Sequence, residues 1–160
     1  MLGWQYQELG SSGGGPGGVH ELRLVGTLAA YENSRSSGGY EDEEGHGWAR
    51  WIIEVRDLRN GRLLDRLPTG SSEHPTPREI GIGPAAGLVL KSDGAVAWIV
   101  SICTREEFKG PECTYQVHAV DRTGTRVLAH GRNIARHSLR LKGSRLSWVQ
   151  GGRRVSARLS

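Results

Sequence analysis

The sequence predicts an all-β fold built from antiparallel, four-stranded repeats. Apolar and polar residues alternate in short runs separated by single glycines, which is the pattern of half-buried strands. The run SLRLKGSRLSWVQ at 138–150 shows this clearly, because Leu139 and Leu141 fall on one side of a pleat and Arg140 and Lys142 on the other. No window has convincing helical periodicity, since glycine, proline and β-branched residues interrupt each candidate.

The first half of a repeating unit occurs three times. ELRLVGTLAAYE (21–32), GLVLKSDGAVAWIV (87–100) and SLRLKGSRLSWVQ (138–150) each hold Leu-x-Leu, a turn that contains glycine, and an alternating run. Each alternating run carries an aromatic residue near its end, namely Tyr31, Trp98 or Trp148. These stretches predict the first and second strands of three similar units.

The second half of the unit follows the first two copies. WIIEVRDLRNGRLLDRL (51–67) and YQVHAVDRTGTRVLAHG (115–131) each hold a β-rich run, an aspartate, a short glycine turn and a basic-apolar run. The third copy continues only with GGRRVSARLS at 151–160, which is enough for one strand. The complete unit is therefore four short strands, and the third copy lacks its last one.

Tight turns join these strands. We expect positive φ at the glycine of four of them, Gly61, Gly94, Gly124 and Gly143. Asp57 and Asp121 precede two of the turns and are predicted to accept hydrogen bonds from turn amides.

A repeated four-stranded antiparallel unit is typical of β-propeller blades. The predicted blades lie at about 20–80, 85–132 and 137–160 within one domain, 19–160. Residues 1–18 are interpreted as an N-terminal strand, GWQYQEL, followed by a glycine-rich linker. That strand is a candidate to complete the third blade.

Three blades do not close a propeller, which needs about four or more. Three solutions stay open: the chain is a fragment, two copies form one six-bladed ring as a homodimer, or the strands close as a small β-sandwich or barrel. Matching copies favour the partial propeller, because a sandwich does not require them.

The charge is distributed unevenly along the chain. Residues 1–80 carry 8 Lys/Arg and 12 Asp/Glu, whereas residues 121–160 carry 10 Lys/Arg and only Asp121 as an acid. A basic patch is a candidate site for nucleic acid or an acidic envelope polymer; its residues are Arg132, Arg136, Arg140, Arg145, Arg153 and Arg154. Alternation with apolar residues favours the simpler interpretation, a solvent-exposed strand face.

Cys103 and Cys113 flank a Gly-Pro turn signal, and both lie beside strand-like runs. Cysteines at the mouth of a hairpin approach within bonding distance, so we predict a disulfide and an oxidising, extracytoplasmic compartment. Two free thiols in a cytoplasmic protein are the alternative. Zinc is disfavoured because a second pair of ligands is missing.

The loop YEDEEGHGW (40–48) gathers acidic and aromatic residues that form a candidate binding loop: Asp42, Glu43, Glu44, His46 and Trp48. The spacing does not match an EF-hand, and runs of acids usually mark a solvated loop, so no metal or other cofactor is predicted. Neither a nucleophile elbow nor an HExxH motif occurs, which favours a non-enzymatic protein. No run approaches the roughly 18 apolar residues of a membrane span, and the N-terminus has no signal-peptide pattern.

The segments LVLKSDGAVAWIV (88–100), YQVHAVDRTGTRVLAHG (115–131) and SLRLKGSRLSWVQGGRRVSARL (138–159) carry a family resemblance. They resemble the C-terminal blades of uncharacterised β-propeller-like proteins of high-GC actinobacteria and, more distantly, the propeller of the Tol translocation system. The resemblance covers about residues 20–160 and implies architecture rather than catalytic residues. Proteins of that group are typically longer and begin with an export signal.

The expected function is a non-enzymatic binding or scaffold module that presents loops 33–48, 67–80 and 103–113 to a macromolecule or envelope polymer. Two alternatives are a fragment of a propeller hydrolase or lyase and a nucleic-acid binder that uses the basic patch.

Overall fold

The computed structural model describes residues 18–36, 49–72, 80–106 and 109–160. Regular structure in these ranges consists of β-strands, and every strand pair is antiparallel. This confirms the predicted all-β fold made of antiparallel repeats. The strands form three open sheets, here called A, B and C.

Each sheet collects strands that are consecutive in the chain. Sheet A has the order β1 (Val19–Val25), β2 (Leu28–Ser36), β3 (Ala49–Asp57) and β4 (Arg62–Ser72). In sheet B, β5 (Ile80–Ile82) and β6 (Ala86–Leu90) both pair with β7 (Val96–Glu106), which is followed by β8 (Lys109–Asp121) and β9 (Gly124–Gly131). Sheet C has the order β10 (Arg140–Lys142), β11 (Arg145–Gln150) and β12 (Arg153–Arg158).

The tight turns have the predicted geometry. The φ angles are 69° at Gly61, 94° at Gly94, 98° at Gly124 and 60° at Gly143. The carboxylate of Asp57 accepts a hydrogen bond from the Arg59 amide at 3.0 Å, and that of Asp121 accepts one from the Thr123 amide at 2.9 Å. These turns fix the register of consecutive strands, since a one-residue slip would turn each apolar row to the wrong face.

Sheet B is covered on both faces. On β7, Val96, Trp98 and Val100 belong to a buried cluster shared with sheet A, which also contains Ala30, Ile53 and Val55. The alternate residues Ala97 and Ile99 belong to a second buried cluster, which contains Leu146 and Trp148 of sheet C. Because side chains alternate between the faces of a strand, β7 contributes to both cores and sheet B is the middle layer.

The repeated aromatic position is buried in all three sheets. Tyr31, Trp98 and Trp148 are 2%, 3% and 2% exposed. Trp98 lies in the core shared with sheet A, and Trp148 lies in the core shared with sheet B. Tyr31 points away from sheet B, because its neighbour Ala30 faces the shared core. If the sheets are ordered A, B, C, the aromatic side chain of each sheet therefore points towards the A end of the stack.

One carboxylate lies in the layer between sheets A and B. Glu32 is 0% exposed, and its Oε1 accepts hydrogen bonds at 2.8 Å from the Thr69 hydroxyl and from the Ala85 amide. Its Oε2 is buried without a hydrogen-bond partner. Burial raises the pKa of Glu32 above its ordinary value.

Strands extend further than the sequence predicts. The loops expected at 33–48, 67–80 and 103–113 begin or end as strand, because β2 continues to Ser36, β4 to Ser72 and β7 to Glu106. Main-chain pairing continues past the last apolar residue, as in the pair Ser36 and Ala49. Apolar alternation does not report such pairing, since main-chain hydrogen bonds do not depend on the side chain.

Candidate functional site

One strand from each of the three sheets lies at a shared groove. β1, β6 and β10 each pair with only one described strand, and their open edges border a cavity of about 480 Å³. The lining combines charged and apolar side chains, among them Glu21, Arg23, Leu88, His137, Leu139 and Arg140. Leu88 and Leu139 form a buried floor, so the groove offers an apolar base with polar groups around it.

Glu21 is the strained residue of the groove. Its φ is 49°, which an L side chain rarely adopts, and the register of β1 shifts between His20 and Arg23. The carboxylate accepts a hydrogen bond from the Gly87 amide at 3.2 Å and forms an ion pair with Arg23 at 2.8 Å. Non-glycine residues with positive φ cost about 1–3 kcal/mol and cluster at functional sites, so the bulge at Glu21 marks this edge as a candidate site.

Gly87 allows the segment before β10, which lines one side of the groove, to pack closely against β6. Its φ is 79°, and a Cβ at this position would lie 3.2 Å from the Arg136 carbonyl oxygen and 3.5 Å from the Leu139 Cβ. Glycine is therefore required both for backbone conformation and for the close approach of the segment before β10. The Arg140 guanidinium holds that segment by donating to the carbonyl oxygens of His137 at 3.0 Å and Leu139 at 2.7 Å.

The described side chains of the groove are suited to ligand binding and do not include a free acid and base for catalysis. Its one described carboxylate, Glu21, is already committed to Gly87 and Arg23. Across the groove, Arg140 and His137 present hydrogen-bonding groups beside the apolar floor. Such a lining suits a ligand that has an acidic group and an apolar part.

The six arginines of the predicted basic patch lie in four different environments. Arg140, Arg145 and Arg154 lie on the face of sheet C turned away from sheet B, whereas Arg153 pairs with Gln150 on the opposite face. Arg132 forms an ion pair with Glu112 at 2.5 Å. Arg136 lies 6.0 Å above the centre of the Tyr115 ring.

Two further cations, which the predicted basic patch did not include, lie on the outer face of sheet C. Lys142 pairs with Arg145, and Arg145 pairs with Arg158, so three cations stand side by side across the strands. The outer basic face is defined here by Arg140, Lys142, Arg145, Arg154 and Arg158. The signal was available in the sequence, because the turns at 143–144 and 151–152 fix the register that aligns these residues.

The cysteines form a disulfide. Cys103 and Cys113 are directly opposite each other on β7 and β8, with Cα atoms 4.0 Å apart and their sulfur atoms at bonding distance. The pair is compatible with an oxidising compartment and gives weak support to an extracytoplasmic location.

A polar network occupies the face of sheet A turned away from sheet B. The Tyr31 hydroxyl donates to Glu54 at 2.7 Å, and the Arg56 guanidinium donates to the Tyr31 oxygen at 2.8 Å and to Glu54 at 2.9 Å. Burial acts to raise the pKa of Glu54, but hydrogen bonds from Tyr31 and Arg56 outweigh it and the pKa is lowered. Burial together with the Glu54 hydrogen bond raises the pKa of Tyr31.

Several sequence candidates fall outside the described ranges. These are the acidic loop residues Asp42, Glu43, Glu44, His46 and Trp48, and the proposed N-terminal strand at 3–9. Within the described residues, no three His, Cys, Asp or Glu side chains group as metal ligands. None of the described segments is a helix of the length and apolarity needed to cross a membrane.

Comparison of the chain with protein-family models, with curated proteins and with solved structures finds no match. A functional interpretation therefore depends on the residues and contacts of the chain itself.

Proposed function

We propose that the chain is a non-enzymatic binding module of the β-propeller type, whose three sheets are successive blades. The observation that carries the proposal is the meeting of β1, β6 and β10 at one groove. In a propeller, the blades are arranged around a central channel. The resemblance to actinobacterial propeller-like proteins is part of this proposal.

The layering of the sheets supports the same architecture. Consecutive sheets share a core, and the aromatic position of each points in the same direction along the stack. A two-layer sandwich would bury one face of each sheet, whereas sheet B buries both.

The charges on the two outer faces of the stack bear on whether two copies would form one closed ring. A ring of two copies would place the outer basic face of one copy against the Tyr31 face of sheet A in the other. The described charges on that second face are one carboxylate, Glu54, and three guanidiniums, those of Arg50, Arg56 and Arg66. The described charges of the two faces are therefore mostly of the same sign, which favours an anionic partner over a second copy of the chain.

The groove is proposed to bind a ligand that carries a carboxylate or phosphate next to an apolar group. Arg140 and His137 would contact the acidic group, and the partly exposed Val89 and Leu141 would contact the apolar part. A propeller hydrolase or lyase has less support, because Glu21 is held in an ion pair and by a main-chain donor.

A titration followed by ¹H–¹⁵N NMR tests the groove. The probes are 4-methylpentanoate and its uncharged counterpart 4-methylpentan-1-ol, which differ only in the acidic group. We expect the carboxylate to shift the amides of Gly87, His137 and Leu139, and the alcohol to shift them less.

Matched variants sharpen the result. Arg140→Gln should remove the difference between the two probes, while Arg62→Gln, an exposed arginine on β4, should leave it unchanged. Shifts that are equal for both probes, or that lie outside the groove, would overturn the proposed site.

A further inference from the structure

The described part of the chain supplies no ion-pair partner to the outer basic face. Its five cations are exposed, and none of them forms an ion pair in the described part of the chain. The sequence supplies no acid after Asp121. Asp121 itself is occupied, because it accepts hydrogen bonds from Arg126 and from the Ser160 amide.

The arrangement of these cations is unfavourable for an isolated sheet. Lys142, Arg145 and Arg158 occupy directly opposed positions on three adjacent strands. Like charges in directly opposed positions destabilise a sheet, and neighbouring strands are only about 4.8 Å apart. A bound anion would convert this repulsion into attraction.

A shallow hollow lies at the end of the cation row. It is lined by Arg145 and Arg158 together with Ser144, Ser156 and Ala157. The lining includes two arginines and two serines. Guanidinium forks match the geometry of oxyanions such as phosphate, so the hollow is the candidate position for one phosphate group.

We infer that the outer basic face binds a linear polymer with phosphodiester groups, of the polyol-phosphate kind. One phosphate occupies the hollow between Arg145 and Arg158, and the chain continues across the strands towards Lys142. A polymer is favoured over a free phosphate because the cations extend over all three strands of sheet C.

Two observations favour a polyol phosphate over nucleic acid. The described outer face carries no aromatic side chain, since Trp148 points into the core shared with sheet B, so bases would find no stacking partner. The disulfide between Cys103 and Cys113 is compatible with a compartment outside the cytoplasm. The inference rests on Lys142, Arg145 and Arg158, none of which the structure places in the groove lining; Arg140 is the one residue that the outer basic face shares with the groove.

Calorimetry on the full chain tests the inference. The probe is a glycerol-phosphate decamer, compared with a ten-residue oligothymidylate of similar charge and with neutral dextran. We expect the glycerol-phosphate decamer to bind more tightly than oligothymidylate, and dextran not to bind. If the face neutralises three phosphates, the affinity should fall about 20-fold as the salt concentration rises from 50 to 200 mM.

Charge-removing variants locate the site. Arg145→Gln and Arg158→Gln should each weaken decamer binding about 10-fold, as expected for the loss of a charge-assisted contact. Arg62→Gln removes the same charge from sheet A and should leave binding unchanged. Circular dichroism of each variant checks that the fold is intact.

Three results would overturn the inference. Tighter binding of oligothymidylate would assign the face to nucleic acid instead. An equal loss of affinity in Arg62→Gln would indicate attraction by net charge alone, and absence of decamer binding at 50 mM salt would leave the face without this ligand.

Discussion

Replacement of Leu146 by alanine tests whether sheet C packs on sheet B. Leu146 is 0% exposed and belongs to the cluster that joins Ile99 of sheet B to Trp148 of sheet C. A buried Leu→Ala change removes apolar contacts and leaves a cavity, at about 2–5 kcal/mol of unfolding free energy. For a chain of this length, about 3 kcal/mol corresponds to a decrease in Tm of roughly 6–12 °C. Urea unfolding followed by tryptophan fluorescence measures the change.

The matched control is Val155→Ala on β12. Val155 pairs with Trp148 on the same face of sheet C but is 36% exposed, so its truncation should cost about 1 kcal/mol or less. A double-mutant cycle between Leu146→Ala and Ile99→Ala should give a coupling energy of about 0.5–3 kcal/mol if both residues share one core. A loss below about 1 kcal/mol for Leu146→Ala, with no coupling, would refute the layered core.

Three further predictions concern single interactions. Replacing Cys103 and Cys113 with serine should lower the unfolding free energy by up to about 3 kcal/mol, because the bridge closes a short loop; thiol titration of the unfolded wild-type chain under non-reducing conditions should find no free thiol. The raised pKa of Glu32 means that the folded state keeps its proton at higher pH than the unfolded state does, so stability should fall as pH rises from about 4.5 through the folded-state pKa. Glu32→Gln should remove that decline in urea midpoints measured across pH, and an unchanged decline would contradict the assignment. At low salt, Arg145→Gln should raise the unfolding free energy by about 0.5 kcal/mol by relieving repulsion, and the gain should shrink at 0.5 M salt; a loss of stability would show that this arginine has a structural role.

Much of the fold was predictable because it depends on local signals. Glycine at a fixed place in each turn and an aspartate just before it determine the register, as Gly124 and Asp121 show. The aromatic position was also predictable, since alternation places Trp98 and Trp148 on apolar faces.

The groove was not predictable from the sequence. Glu21 has no local signature of a strained residue, and its partner Gly87 lies 66 positions away in the chain. Meeting of the two requires sheets A and B to stack, which is a tertiary property. The same holds for Glu32, because a glutamate in an alternating strand gives no sign that a second sheet will cover it.

The basic patch shows that the proximity of arginines in the sequence does not determine which of them share a face of the sheet. Grouping the arginines by their proximity in the sequence included Arg132, which is paired with Glu112, and Arg153, which lies on the other face. It omitted Lys142 and Arg158, which strand register aligns with Arg145. Register rather than sequence proximity determines which cations act together.

Amide hydrogen exchange measured by NMR tests the layered arrangement of the three sheets most directly. Sheet B is the one sheet that the described residues cover on both faces, so the amides of Ile99 and Val100 on β7 should exchange most slowly, and those of β11 and β2 should exchange faster. Exchange on β11 or β2 that is as slow as on β7 would contradict the assignment of sheet B as the middle layer.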